Sequence, residues 1–206
     1  MNQTHAVHSR AKRVLAIAVV VSLAACGKTP EAAEPVAPAA EPVAEASAQD
    51  AFFANLTALC GQSFDGQVEV DVPAAPDNDA FAGKALVMHV RDCSDSEIRI
   101  PFHVGEDHSR TWIVTRTGEG LRLKHDHRHE DGTPDAVTMY GGDTADEGTA
   151  NRQEFPVDAE SIAMFEQEGL DASVTNTWAI EVVPGEHYTY ELARPGGRLF
   201  RVRFDL

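Results

Sequence analysis

The sequence has few basic residues for its acidic content. It contains 17 lysines and arginines against 33 aspartates and glutamates, and its formal net charge at pH 7 is −16. A charge of this sign repels nucleic acids and anionic surfaces at long range. We therefore expect no nucleic-acid partner. Internal repeats and glycine-rich phosphate-binding loops are also absent from the sequence.

The apolar segment near the N-terminus is short. It runs for 12 residues, from Val14 to Ala25, and is apolar except for Ser22. Such a segment cannot cross a hydrocarbon core of ~30 Å as a helix, but it suits the hydrophobic region of a secretory signal. The basic residues that such a signal requires come just before it, at Arg10, Lys12 and Arg13.

The end of this segment resembles the lipobox of bacterial lipoproteins. Small residues precede a cysteine in LAAC, Leu23 to Cys26, and Gly27 follows. The resemblance covers residues 1–27. It implies cleavage before Cys26, acylation of that cysteine and anchoring in a lipid bilayer. Gly27 is not the aspartate that retains such proteins in the inner membrane, which favours the outer membrane, facing the periplasm. A signal peptide with an incidental cysteine, or an uncleaved anchor, is the alternative.

Composition divides the chain into three regions: a signal peptide at 1–25, an acylated cysteine and tether at 26–49, and a β-rich globular domain at 50–206. Residues 27–49 contain four prolines, four glutamates, eight alanines and no aromatic residue. This composition cannot bury enough apolar surface to offset the entropy of ordering. In polyproline geometry the tether would reach ~70 Å.

Cysteine is scarce, with three in the chain. If Cys26 carries lipid, Cys60 and Cys93 remain, and an even number in an exported protein predicts a disulfide. A metal–thiolate pair is the alternative, but two cysteines 33 positions apart lack the spacing of a zinc site.

Hydrophobic periodicity predicts a mainly β fold. A short helix is indicated near Phe52, Phe53 and Leu56, and a second from Asp158 to Gly169. Between and after them, ten short segments alternate with a period of two and are joined by tight turns. We predict an antiparallel up-and-down β-barrel of lipocalin-like architecture with two short helices; a β-sandwich is the alternative.

One predicted hairpin places three histidines on its inner face. A type II′ turn at Gly118-Glu119 would pair residues whose numbers sum to 237. His125 then lies opposite Trp112, His127 opposite Arg110, and His129 opposite His108. Leu123 and Val114 share this face, which identifies it as the buried one. The alternate residues Arg122, Lys124, Asp126, Arg128 and Glu130 are expected to point to water, and Asp135 is expected beside His129.

A polar cluster at the mouth of an apolar interior is how binding sites are commonly built. We therefore predict ligand-binding roles for Arg110, Trp112, His125 and His127, with arginine favouring an anionic group. A divalent metal such as zinc is a second hypothesis, with ligands drawn from His125, His127, His129 and Asp135. A third interpretation is that the histidines line a solvent-filled end of the barrel and bind no ligand.

Other groups give weaker indications. The acidic loop Tyr140–Gly148 offers oxygen ligands, but its spacing is not that of an EF-hand. Ser109, His108 and Asp107 are adjacent in one strand, so their side chains diverge and do not predict a hydrolytic triad. The basic C-terminal segment is explained by surface salt bridges, with Glu181 and Glu191 as candidate partners; its residues are Arg194, Arg198, Arg201 and Arg203.

We expect a membrane-anchored envelope lipoprotein with a non-enzymatic barrel that binds a small anionic or amphipathic ligand, or a metal ion. One alternative is a metal-assisted hydrolase that uses His125, His127 and His129. Another is a structural or interaction lipoprotein without a ligand pocket. A catalytic metal needs three protein ligands and an open position. His125 and His129 would lie ~13 Å apart on a straight strand, so the three histidines cannot easily bind one ion, and binding ranks above catalysis.

Overall fold

The structure is a computed structural model that describes residues 46–74 and 80–206. The signal-peptide and acylation predictions, and most of the predicted tether, lie outside the described residues. The described part contains two α-helices, a short 3-10 helix (Asp171–Ser173) and eleven strands. The helices are α1 (Ala48–Thr57) and α2 (Ala159–Gln167). The strands are β1 (Ser63–Val72), β2 (Leu86–His89), β3 (Asp92–Cys93), β4 (Glu97–Val104), β5 (Asp107–Arg116), β6 (Leu121–His127), β7 (Tyr140–Asp143), β8 (Arg152–Pro156), β9 (Thr177–Val183), β10 (His187–Arg194) and β11 (Arg198–Asp205).

The strands form one antiparallel sheet that is nearly closed into an up-and-down barrel. Their order is β7-β6-β5-β4-β2-β1-β11-β10-β9-β8, with β3 paired to β4 outside this path. Apart from the β1–β11 pair, neighbours in this order are also near neighbours in sequence, as hairpin connections require. The predicted barrel with two short helices is therefore confirmed.

The seam of the barrel lies between β7 and β8, which are not paired to each other. A Cβ on Gly142 of β7 would lie 1.7 Å from the carbonyl oxygen of Pro156 at the end of β8, so the two backbones touch. The start of α2 supplies the missing hydrogen bonds. The Asp158 N–H donates to the Gly141 carbonyl at 2.9 Å, and the Ser161 hydroxyl accepts from the Gly141 N–H at 2.8 Å. Helix α2 thus completes the wall where the strands do not.

Helix α1 closes one end of the barrel. Its residues Phe52, Phe53 and Leu56 are buried in the core, as the helical periodicity predicted. The guanidinium of Arg116, at the end of β5, lies 4.2 Å from the centre of the Phe53 ring and forms an ion pair with Asp50. The strand ends that meet α1 are therefore filled with side chains, and any open interior must lie at the other end.

A bulge in β1 changes which of its residues face inward. Val68 pairs with Val202, but Val70 pairs with Arg201 and Asp71 with Phe200, so the register shifts by one between Val68 and Val70. A bulge of this kind inserts one residue and reverses the alternation beyond it. Asp71 consequently shares the inner face with Phe200, which simple alternation along β1 does not predict.

The disulfide prediction is confirmed. Cys60, just after α1, is bonded to Cys93 in β3, with 6.4 Å between the Cα atoms. The bond joins the helix that closes one end of the barrel to the sheet. Neither helix within the described ranges is long and apolar enough to cross a membrane.

Candidate ligand-binding cavity

A cavity of about 250 Å³ lies inside the barrel at the end away from α1. It is reached from the end where β5 begins and β6 finishes. All four residues that we predicted to bind ligand line it, namely Arg110, Trp112, His125 and His127. The predicted register brings them together: His125 pairs with Trp112, and His127 with Arg110. The turn that sets this register is not type II′, because Gly118 lacks the positive φ which that turn needs, but the Thr117 N–H still donates to the Gly120 carbonyl.

His125 forms the floor of the cavity, and both of its ring nitrogens have partners. Its side chain is 2% exposed. Nδ1 lies 3.0 Å from the carbonyl oxygen of Tyr140, and Nε2 lies 2.7 Å from the hydroxyl of Tyr190. A carbonyl only accepts, so Nδ1 carries the hydrogen and Nε2 accepts from Tyr190. Burial lowers the pKa of His125 to about 3, so the ring is neutral at physiological pH.

His127 and Tyr140 form a second polar pair beside this floor. The Tyr140 hydroxyl lies 3.1 Å from Nε2 of His127. Burial lowers the pKa of His127 and Arg110 lowers it further, while Asp135 opposes the shift. Burial also raises the pKa of Tyr140 to about 12. The polar groups of the floor are therefore uncharged and hydrogen-bonded to one another.

The walls of the cavity are rich in aromatic rings. Trp112 stacks on Tyr190 with 4.4 Å between ring centres and on Phe102 with 4.5 Å, both at interplanar angles of 17°. His125 stacks on Tyr140 at 4.6 Å. The two tryptophans of the chain, Trp112 and Trp178, both line the cavity. The aromatic lining residues are Phe81, Phe102, Trp112, Tyr140, Phe165, Trp178, Tyr190 and Phe200.

Three arginines line the cavity, and none of its described lining residues is an aspartate or glutamate. Arg110 donates to the Asp107 carboxylate at 2.5 Å, and Arg198 forms an ion pair with Asp71. Arg194 donates from Nε to the Asn176 side chain at 2.5 Å. Within the described part of the chain, no carboxylate pairs with Arg194, and burial together with Arg198 lowers its pKa.

Arg194 and Arg198 are directly opposite each other across the β10–β11 hairpin. Like charges in this relationship repel, and the repulsion grows as solvent is removed. Asp71 compensates one of the two, and it reaches Arg198 because the β1 bulge places it on the inner face. The second guanidinium remains as a positive group at the mouth of an aromatic cavity.

The interpretation of the basic C-terminal segment as surface salt bridges is half right. Arg201 bonds Glu191 at 2.7 Å and Arg203 bonds Asp205 at 2.9 Å, both on the outer face. Arg194 and Arg198, by contrast, line the cavity, which our site prediction missed. The sequence did contain evidence for the position of Arg198. It lies two residues before Phe200, and residues two apart on a strand face the same side of the sheet.

The predicted metal ligands are not gathered at one point. His129 is exposed and lines a different, open depression with His108 and Glu130. Asp135 lies beside His127 and not beside His129, since its N–H donates to the His127 carbonyl at 3.0 Å. Both His125 nitrogens are already bonded. Within residues 46–74 and 80–206, no three histidine, cysteine, aspartate or glutamate side chains are grouped to hold a metal ion. The residues present do not fit zinc.

Two of the residues expected to point to water are covered instead. Lys124 is 9% exposed, and its ammonium lies 2.7 Å from the Asp158 carboxylate at the start of α2. Asp126 is also buried, and it pairs with Arg128 at 2.9 Å. The start of α2 therefore covers Lys124, whereas Asp126 is covered by its own neighbours, Arg128 and Thr138.

Comparison with protein-family models, with curated proteins and with solved structures finds no match to this chain.

Proposed function

We propose that this protein is an envelope lipoprotein whose barrel binds a small amphipathic anion. The observation that carries the proposal is the charge of the cavity. In a chain of net charge −16, the described cavity lining contains three arginines and no carboxylate. An apolar cavity with a few convergent polar groups is the usual form of a small-molecule site.

The guanidinium of Arg194 is in a position to bind an anionic ligand. Two of the arginines have carboxylate partners, Asp107 and Asp71, and among the described residues the partner of Arg194 is the neutral Asn176. Guanidinium groups favour carboxylate or phosphate oxygens, because their N–H groups can donate two parallel hydrogen bonds. The aromatic walls would take the apolar part of the same ligand.

The chemistry of the floor favours binding over catalysis. A general base needs a free nitrogen within reach of a substrate proton. His125 uses both nitrogens within the protein, and its low pKa makes it a poor base. A metal-assisted hydrolase would need at least three ligands at one point, and the described residues contain no such group.

Fluorescence titration of the purified domain tests the binding function, since both tryptophans line the cavity. We expect at least one of three anions, namely octanoate, benzoate and 8-anilinonaphthalene-1-sulfonate, to change the emission of the domain in a saturable way. Octanol and benzyl alcohol, which are neutral, should bind at least about tenfold more weakly, because charge-assisted hydrogen bonds contribute ~1.5–3 kcal/mol.

Arginine variants provide the matched comparison. Arg194→Gln should weaken the binding of any of these anions by about tenfold or more. Arg203→Gln removes the same charge from the outer face of the adjacent strand, where Arg203 pairs with Asp205, and should leave binding unchanged. Failure of all three anions to shift the fluorescence or the melting temperature would remove the basis of the proposal.

The envelope location is supported by the lipobox-like LAAC at residues 23–26 and by the confirmed disulfide, which is typical of exported proteins. Metabolic labelling with an alkyne fatty acid tests it. The parent chain should incorporate the label and fractionate with the outer membrane, and Cys26→Ala should do neither. Equal labelling of the variant would rule out acylation at Cys26.

A further inference from the structure

We infer that the ligand of this cavity is an aromatic monocarboxylate with a single ring, of the benzoate type. The inference rests on the proposed function and narrows it to one chemical class. It follows from three properties of the cavity: its volume, the orientation of its rings and the count of its uncompensated charges.

The volume sets the size of the ligand. The cavity measures about 250 Å³. An engineered protein cavity of ~150 Å³ binds benzene, so this cavity has room for one ring and a short substituent. A long acyl chain or a fused polycyclic body is too large for it. The size therefore selects against common membrane lipids, although the protein itself is proposed to be membrane-anchored.

The orientation of the wall rings favours a flat ligand. Phe102, Trp112 and Tyr190 form a continuous stack in which successive planes are inclined by only 17°. Aromatic pairs gain ~0.5–1.5 kcal/mol beyond their area when they stack in offset or edge-to-face geometry. A planar ring can extend such a stack, whereas a puckered saturated ring of similar size contacts it at fewer atoms.

The charges of the mouth favour one negative charge on the ligand. Arg110 and Arg198 are compensated by Asp107 and Asp71, and Arg194 is the lining arginine without a carboxylate partner in the described structure. One carboxylate would compensate Arg194 and relieve its repulsion with Arg198 across the hairpin. A second negative charge would enter the cavity without a partner, which is costly in a low-dielectric site.

An apolar ring can lie against His125 without leaving either of its ring nitrogens unpaired. His125 is bonded to the Tyr140 carbonyl and to the Tyr190 hydroxyl, and His127 is bonded to the Tyr140 hydroxyl. His125 therefore needs no hydrogen bond from a ligand, whereas Nδ1 of His127 has no partner in the described structure. The carboxylate therefore lies at Arg194 near the mouth, and the ring lies deeper, against Tyr190, because Phe102 and Tyr190 already cover the two faces of Trp112.

Isothermal titration calorimetry with a matched set of probes tests the inference. The set is benzoate, cyclohexanecarboxylate, octanoate, benzamide and phthalate. We expect benzoate to bind about fivefold or more tightly than cyclohexanecarboxylate, since stacking contributes on the order of 1 kcal/mol. Benzamide, which lacks the charge, and phthalate, which carries two, should each bind at least about tenfold more weakly than benzoate.

Variants and spectra locate the bound probe. Arg194→Gln should weaken benzoate binding by about tenfold or more. Arg194→Lys keeps the positive charge but loses the paired N–H donors of the guanidinium, so its affinity for benzoate should lie between those of Arg194→Gln and the parent protein. Arg203→Gln should bind benzoate with the same affinity as the parent protein. Benzoate should also shift both indole N–H resonances of the protein, which has two tryptophans.

The outcomes separate this inference from the broader proposal. Tighter binding of octanoate or of an anilinonaphthalene sulfonate than of benzoate would overturn the aromatic single-ring class and leave an anion-binding function in place. Binding of benzoate that Arg194→Gln does not weaken would overturn the assignment of the carboxylate to Arg194. Absence of binding by every anion tested would overturn both the class and the function.

Discussion

The Tyr190 hydroxyl donates a hydrogen bond to Nε2 of His125, with 2.7 Å between the two atoms, at the floor of the cavity. Both residues are buried, at 8% and 2% exposure. They come from β10 and β6, which are far apart in the strand order, so the bond crosses the barrel interior. It therefore holds two sides of the barrel together through a polar contact that water cannot replace without entering the core.

Removal of this hydroxyl is predicted to destabilise the protein. Tyr190→Phe leaves a buried imidazole nitrogen without a donor, which should lower the free energy of unfolding by ~1–3 kcal/mol. Tyr188→Phe is the matched control. Tyr188 is also buried on β10, but its hydroxyl has no hydrogen-bond partner in the described structure. Its removal should cost almost nothing or stabilise the fold. Denaturant unfolding of both variants measures the difference, and equal losses would contradict this role for the His125 bond.

The depressed pKa of His125 predicts a loss of stability in acid. Burial lowers it to about 3 in the folded protein, against ~6.5 for a histidine in an unfolded chain. Below pH 6.5 the unfolded state takes up a proton that the folded state does not bind until about pH 3. The free energy of unfolding is therefore unaffected by His125 above about pH 6.5 and falls progressively as the pH is lowered below it, by a few kcal/mol at most.

Two measurements check this dependence. ¹⁵N spectra at pH 5 should show His125 as the neutral tautomer with hydrogen on Nδ1. Urea unfolding from pH 7 to pH 4 should show a smaller acid loss for His125→Gln than for the parent, although the variant is less stable at pH 7. A protonated His125 ring at pH 5 in the folded protein would contradict the prediction.

The disulfide is predicted to contribute substantially to stability. The bond between Cys60 and Cys93 closes a loop with a sequence separation of 33. Under the chain-entropy model its reduction should lower the free energy of unfolding by ~3–4 kcal/mol. Guanidinium unfolding with and without reductant measures this loss, and the double variant Cys60→Ser/Cys93→Ser should be insensitive to reductant. Two thiols that react freely in the native, non-reduced protein would contradict the bond itself.

The register of the β5–β6 hairpin could be predicted from the sequence because it is a local property. A short turn joins the strands, and apolar residues at Val114 and Leu123 identify the inner face. Those two facts fix the position of every residue along both strands, including Arg110 and His127 at the mouth. The first helix and the disulfide were predictable for similar reasons, since helical periodicity and cysteine count need no tertiary information.

The other half of the site depends on features that a periodic pattern does not contain. The bulge in β1 turns Asp71 inward, and nothing in alternation along β1 marks where the extra residue lies. The placement of Asp135 beside His127, and not beside His129 as we expected, depends on the irregular path of residues 128–139. Burial of Lys124 depends on its ion pair with Asp158, which precedes α2 in a distant part of the sequence. Each of these is set by tertiary packing.

The seam between β7 and β8 gives the last prediction. Gly142 is required there because a Cβ would lie 1.7 Å from the Pro156 carbonyl oxygen, a backbone atom that cannot rotate away. Gly142→Ala must therefore push β7 and β8 apart, which strains the hydrogen bonds that Asp158 and Ser161 make to Gly141. Overpacking of this kind costs ~1–3 kcal/mol or more.

Gly118→Ala is the matched control, because no atom lies within 4 Å of a Cβ placed at that turn position and its φ is not positive. Unfolding experiments should show a large loss for Gly142→Ala and almost none for Gly118→Ala. Hydrogen exchange at the Gly141 amide should accelerate in the first variant, because its acceptor, the Ser161 hydroxyl, is carried by α2 and moves with β8. An unchanged exchange rate together with unchanged stability would mean that β7 and β8 are not in contact, and that the barrel wall is open at this seam.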